Sequence, residues 1–201
     1  IKNCYASPTF YVQDNFGKSE IKTQLSGIRQ GCPLSPYLFI IVMTCIDADI
    51  KQLSSQNIED HRIPGMEFDM VYYADDTILF SLHPEAVTEL LKHTENASIK
   101  YGLKLNRNKC VAISMNNDDE ITFQNGDPLT SSFETTYLGN EINKKVNVNL
   151  EISAKMHEVR KTWYKLVTYW KATNASKKWQ LIIHDAIIRS KLLYGPETIF
   201  I

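Results

Sequence analysis

The stretch MVYYADDTILF, Met70 to Phe80, constrains this chain more than any other. Two β-favouring apolar runs flank adjacent aspartates, Asp75 and Asp76, which is the pattern of a hairpin with two carboxylates at its tip. Within a regular strand neighbouring side chains point to opposite faces, so adjacent aspartates could not share one ion there. At a turn the alternation breaks, and both carboxylates can approach one hard divalent cation. Val71, Tyr72, Ile78, Leu79 and Phe80 would then root the hairpin in a core. Such a site suits phosphate chemistry. The plain alternative is a turn whose aspartates bond only their own backbone.

A chain of 201 residues fits one domain, or a domain with a subdomain, and is long enough to bury a core. With 43% hydrophobic and 22% charged residues it is neither disordered nor fibrous. The net charge of −1 favours no partner, but charge is unevenly placed. Residues 150–201 carry nine Lys or Arg against four Asp or Glu, net +5, which leaves 13 against 19, net −6, for residues 1–149. A basic segment behind an acidic body can grip a polyanion beside a metal site. Cys4, Cys32, Cys45 and Cys110 have no CxxC spacing and no nearby histidine, which argues against zinc and for reduced thiols in an intracellular setting. No signal peptide is visible, and the longest apolar run, YLFIIVMTCI, is too short to span a bilayer, so no membrane partner is expected. The chain opens at Ile1 in mid-pattern, which reads as a fragment.

In chain order, alternation around DNFG predicts a hairpin of Thr9 to Gln13 and Glu20 to Leu25. GIRQGCPLSPYLF, Gly27 to Phe39, reads as a stiff loop entering a helix, with Ser35 as N-cap and Pro36 first in the helix. That helix should run to about Ser54, and its first half, Tyr37 to Ile46, is apolar nearly all round, which implies burial on several sides. Free N–H groups at such an entry can meet a phosphate, although many bind nothing. Ser54 to Gly65 reads as a polar connector. After the aspartate hairpin, Pro84 opens a helix with a stripe at Val87, Leu90, Leu91, Thr94, Ser98 and Tyr101 that stops at Gly102. GLKLNRNKC then leads into a strand, VAISM, with Lys109 where the loop turns back towards the carboxylates; a lone lysine is otherwise a solvated charge.

Asn116 to Asp119 reads as a turn, QNGDP as another, TTYLGNEI from Thr135 to Ile142 as a strand, and residues 143–149 as a linker. Two amphipathic helices follow. The first places Ile152, Met156, Val159, Trp163 and Leu166 on one face, and Lys155, Arg160, Lys161 and Lys165 elsewhere. The second, capped by Ser176 and ending at Gly195, places Trp179, Ile182, Ile183, Ala186, Ile187, Ser190 and Leu193 on a face. The tryptophans fall on these stripes and so read as core.

Together these segments resemble the reverse transcriptases of non-LTR, LINE-type retrotransposons. RQGCPLSPYLF resembles that family's motif B, YADD its motif C, GLKLNRNKC its motif D and YLG its motif E, the primer grip; KLLYGPET resembles the end of its thumb. The order and spacing of the four strings carry the resemblance, which covers nearly the whole chain. It implies an α+β fold: a polymerase palm, a ferredoxin-like antiparallel sheet with helices, over 1–142, then the 143–149 linker and a small helical thumb over 150–201. It implies RNA-directed DNA polymerase activity through two magnesium ions held by Asp75 and Asp76, with an RNA template, a DNA primer and deoxynucleoside triphosphates as partners. By resemblance, Gln30, Gly31 and Tyr73 would meet nucleotide and template, and Lys109 would protonate the leaving pyrophosphate. Tyr137, Leu138 and Gly139 would press on the primer, and Lys155, Arg160, Lys161 and Lys165 would follow the duplex. The family sits in the nucleus or in a cytoplasmic ribonucleoprotein.

One departure matters. The family's third catalytic aspartate, in motif A, has no match here, since Asp14 sits in a turn too close to Gly27, and only Glu20 also precedes motif B. This implies an inactive piece that lacks an upstream fingers and palm segment. The rival readings are a decayed remnant that binds nucleic acid without catalysis, and a helical interaction protein whose aspartate pair is only a turn.

Overall fold

The computed structural model describes residues 5–115, 120–144 and 148–194 of a mixed α/β chain. Residues 1–105 with 123–126 form one compact unit, and 106–122 with 127–201 form another.

The first unit opens with the expected hairpin, in two nested ladders. In the outer ladder, β1 (Thr9–Phe10) pairs with β4 (Lys22–Thr23), Phe10 opposite Lys22; in the inner, β2 (Gln13–Asp14) pairs with β3 (Gly17–Lys18), Gln13 opposite Lys18. The register slips by one between the ladders, so the returning arm carries a bulged residue. Asp14 holds the tip, its carboxylate accepting from the N–H of Phe16 at 2.8 Å and of Gly17 at 3.0 Å.

Helix α1 (Ser35–Gln52) starts one residue earlier than the sequence implies. Leu34 is the N-cap and Ser35, expected to cap, is buried in the first turn. The reason is upstream, where the Ser35 N–H already donates to the Cys32 carbonyl at 3.1 Å and closes a turn before the hydroxyl could cap. Burial also departs from expectation. Ile46 and Ile50 are sealed, but Tyr37, Ile40 and Ile41 are 67, 60 and 57% exposed, because this unit packs on one side of the helix only. The expected connector, Ser54 to Gly65, contains a helix, α2 (Gln56–Asp60), capped by Ser55, whose Oγ accepts from the Ile58 N–H at 3.3 Å while the Ile58 side chain is buried.

The hairpin β5 (Met70–Tyr73) and β6 (Asp76–Leu79) leads into α3 (Pro84–Lys100). As the sequence implies, Leu90, Leu91, Thr94 and Ser98 are buried and Gly102 ends the helix. Gly102, at φ +75°, donates to the Ile99 carbonyl and Leu103 to the Ser98 carbonyl, both at 3.0 Å, a Schellman closure. The core joins Ile46, Ile50, Ile58, Leu90 and Ala97, with Met70 and Leu79 packed on it from the hairpin. Each buried isoleucine or leucine among them contributes about 1.5–3 kcal/mol of burial, which roots the hairpin on α1 and α3. Among the described residues the hairpin pairs with no third strand, so the sheets are small, two-stranded ones.

In the second unit the expected strand VAISM is cut to β7 (Val111–Ala112), which pairs in parallel with β8 (Thr130–Ser131). The expected strand Thr135–Ile142 is instead a hairpin, β9 (Glu134–Tyr137) and β10 (Asn140–Asn143). Its turn is Leu138 at φ +48° and Gly139 at φ +80°, the doubly left-handed pattern that reverses a chain in two residues. Then come α4 (Val148–Thr173), α5 (Lys177–Ile183), a π-wound turn over His184–Arg189, and α6 (Ser190–Leu193).

The faces of these helices are only partly as read from the sequence. Val159 and Trp170 are buried, but Trp163 is 39% and Trp179 62% exposed, so the tryptophans are not uniformly core. On the last helix the buried residue is Ile188, in the π turn, rather than Ile187, and Trp179 and Ile182 ahead of that turn are exposed, so the inward stripe differs from the expected one along the helix. The expected turn Asn116 to Asp119, positions 145–147 of the linker, and the ending from Gly195 lie outside the described residues. No described helix is long and apolar enough to cross a membrane.

Candidate functional site

The register of the aspartate hairpin pairs Tyr73 with Asp76, which leaves Ala74 and Asp75 as its whole loop. Ala74 takes φ +53°, a left-handed position that costs a β-carbon about 1–2 kcal/mol. Asp75 therefore sits on the loop and Asp76 on the first ladder position, both exposed, where strict alternation no longer separates them. Tyr73, 62% exposed, lies across the ladder from Asp76. Tyr72, Ile78, Leu79 and Phe80 are half-buried, while Val71, expected in the core, is 39% exposed. The two carboxylates suit a hard cation, but no cluster of three or more metal-ligating side chains occurs among the described residues. Two carboxylates alone would leave the coordination of such a cation incomplete.

The base of this hairpin is held by an ion pair that nothing in the sequence singles out. Arg62 donates to both carboxylate oxygens of Asp69 through Nε, at 3.0 and 3.1 Å, and through Nη2 at 2.7 Å. The carboxylate raises the affinity of the guanidinium for its proton. The Asp69 carbonyl accepts from the Phe80 N–H at 3.0 Å, and the His61 carbonyl accepts from the Leu82 N–H at 2.8 Å and the Ser81 hydroxyl at 2.7 Å. Both arms are thereby tied to the segment after α2. The only advance signal was an arginine and an aspartate bracketing a Pro-Gly turn, which is too common a pattern to stand out.

A cavity of about 400 Å³ lies between α1 and the hairpin, lined by Phe39, Met43 and Asp47 on one side and Tyr72 and Ala74 on the other. Burial, and then the charge of Asp47, push the Tyr72 phenol up to about 12. Gln30 and Gly31 are exposed on the loop that enters α1, where Gly31 takes φ +78°.

The remaining expected residues belong to the second unit. Lys109 is exposed at the end of a short 3-10 turn, Arg107–Lys109, beside the pairing of Arg107 with Asp127 at 3.4 Å. Tyr137, Leu138 and Gly139 come together at the β9–β10 turn. Lys155, on α4, donates to Asn140 Oδ1 at 3.4 Å in that hairpin. Arg160, Lys161 and Lys165 are exposed further along α4. Lys161 pairs with Glu158 at 3.6 Å, and its charge is the main reason that the Glu158 carboxyl lies below its ordinary range.

Comparison with known proteins agrees with the resemblance to reverse transcriptases of transposon origin. A Caenorhabditis elegans protein described as uncharacterized and transposon-derived is 26% identical over 145 residues, 68% of this chain and 50% of that protein. The chain thus spans half the length of that relative. The family model for reverse transcriptase (RNA-dependent DNA polymerase) matches residues 1–142, which contain the aspartate hairpin, the loop entering α1 and the β9–β10 turn, and the chain belongs to that family.

Proposed function

We propose that this chain is the portion of a LINE-type retrotransposon reverse transcriptase that supplies two of its metal ligands, its primer-holding turn and part of its thumb. The observation that carries the proposal is the pair of exposed, adjacent carboxylates at the tip of a core-anchored hairpin, inside the segment matched to the family. Residues 1–142 act as a partial palm and 150–201 as a thumb-like segment. Asp75 and Asp76 would hold magnesium together with a third carboxylate supplied from outside these residues. When bound, the two ions supply activation of the primer hydroxyl and neutralisation of the triphosphate. Gln30, Gly31 and Tyr73 position the incoming deoxynucleotide against the RNA template, and Lys109 delivers a proton to the leaving pyrophosphate. Arg160, Lys161 and Lys165 hold the duplex by its phosphates, positioning it without reading sequence. The setting is intracellular, in the nucleus or a cytoplasmic ribonucleoprotein.

The test is single-nucleotide extension on an RNA template in a polypeptide completed with an upstream segment carrying the third aspartate. Asp75→Asn and Asp76→Asn should each abolish extension with the fold intact, since each removes a charged ligand at nearly constant size. Substantial extension by Asp75→Asn at ordinary magnesium would sink the assignment. The second reading is a remnant that binds primer–template without polymerising, favoured by a donor set of only two carboxylates among the described residues. Restoration of incorporation by the added segment separates the two.

A further inference from the structure

The β9–β10 turn is joined to α4 and α6 through one side chain, in the KLLYGPET string, to which the resemblance gives no role of its own. Tyr194 follows α6 directly, and its hydroxyl donates to the Leu138 carbonyl at 2.7 Å. Its ring lies against Gly139, where an added β-carbon would sit 3.3 Å from Tyr194 Cε1. The other described glycines have nothing within 4 Å of that position, so Gly139 alone is also needed for close approach. Lys155 closes the circuit. Its ammonium donates to the Tyr194 carbonyl and to Asn140 Oδ1, and lies 5.7 Å from the Tyr194 ring centre.

A tyrosine that is 56% exposed would ordinarily sample several rotamers. Here its hydroxyl, ring and carbonyl are each held by a different group. A two-residue loop leaves the Leu138 carbonyl without a ladder partner, and the phenol supplies one. Lys155, engaged on two oxygens and a ring, is also poorly placed to serve as a free phosphate contact.

We propose that Tyr194, clamped by Lys155, is a positioning residue that latches the Leu138–Gly139 turn onto the C-terminal helices, so that a primer strand pressed by the turn is held in register with them. The latch itself stands on this geometry; its effect on a primer rests on the reading of the turn as the primer grip.

The experiment uses the 201-residue chain. Amide hydrogen exchange of the turn is followed with and without a DNA primer annealed to an RNA template, alongside the dissociation rate of that duplex at several salt concentrations. Tyr194→Phe removes the one hydrogen bond to Leu138 and should speed exchange of the turn about two- to tenfold, the worth of one such bond, leaving the middle of α4 unchanged. Duplex release should quicken similarly with the salt dependence unaltered. Lys155→Met should do the same, again without flattening the salt slope, whereas a phosphate contact would flatten it by about 0.7–0.9 and overturn the role given to Lys155. Unchanged exchange in Tyr194→Phe overturns the latch whatever the duplex does. Faster exchange with unchanged release overturns the positioning of the primer. No binding of the duplex by the wild-type chain removes the primer-grip reading and the positioning role with it, while the exchange data still decide the latch.

Discussion

Replacing Asp69 by asparagine should loosen the aspartate hairpin at its base and not at its tip. The substitution keeps the shape of the side chain but removes its charge and turns an NH2 group towards the Arg62 guanidinium. Three hydrogen bonds of 2.7 to 3.1 Å are then broken or weakened. The Asp69 side chain is 9% exposed and that of Arg62 30%, so the pair lies between two regimes. Breaking a fully buried pair costs about 3–5 kcal/mol, whereas an exposed pair is worth about 1 kcal/mol or less. Water can partly resolvate Arg62, which places the expected loss at roughly 2–3 kcal/mol. Trp163, Trp170 and Trp179 all lie in the second unit, so fluorescence would miss the event. The assay is urea unfolding followed by hydrogen exchange across Leu90 to Ser98, in the core that carries the hairpin. The double variant Arg62→Met with Asp69→Leu leaves no orphan charge and should lie within about 1 kcal/mol of wild type. A loss below about 0.5 kcal/mol for Asp69→Asn would refute the reasoning, as would a double variant as unstable as the single one.

Ala74→Gly should stabilise the chain by about 0.5–1 kcal/mol in the same assay, because relief of about 1–2 kcal/mol of left-handed strain exceeds the extra chain entropy of glycine. Destabilisation would mean that the methyl group packs against the cavity wall. Glu89 accepts from Asn57 Nδ2 at 3.0 Å, and this bond, followed by one from Ser55, holds its carboxyl below the ordinary 4.5. Since the folded value is the depressed one, the contribution is complete above the ordinary value and disappears as pH falls through the folded one; Glu89→Gln should flatten stability against pH in that acid window. Neutralising Lys161, Lys165 and Lys171 together should flatten the log–log salt dependence of primer–template binding by about 0.7–0.9 for each phosphate left without its lysine. A fall in affinity at constant slope would assign these lysines to packing instead.

The elements legible in the sequence were those written in local chemistry. Pro84 and Gly102 bracket α3 because one fixes a helical start and the other permits a left-handed stop. Asp75 and Asp76 mark a hairpin tip because the apolar runs on either side can only pair with each other. The same reasoning failed where the deciding partner was distant or the signal too short. Leu138-Gly139 looked like strand interior, since leucine seldom accepts a left-handed φ and only the contacts of the turn make it do so. The apolar first half of α1 recorded hydrophobicity without recording which side the first unit covers. Arg62 and Asp69 carry no periodicity, so nothing local announced that they anchor the hairpin. Ile188 was missed because the run of apolar residues from Trp179 to Ile188 does not by itself say which side of the helix is covered.

The winding of the last helix changes over His184–Arg189. A π turn carries one residue more than the α turn it replaces, and in an α-helix one residue is worth about 100° of rotation. The side chains from Ser190 to Tyr194 are therefore phased by the insertion. The turn works as an angular offset written into the backbone: it decides which way Tyr194 faces, and so whether its phenol meets the Leu138 carbonyl or points past it.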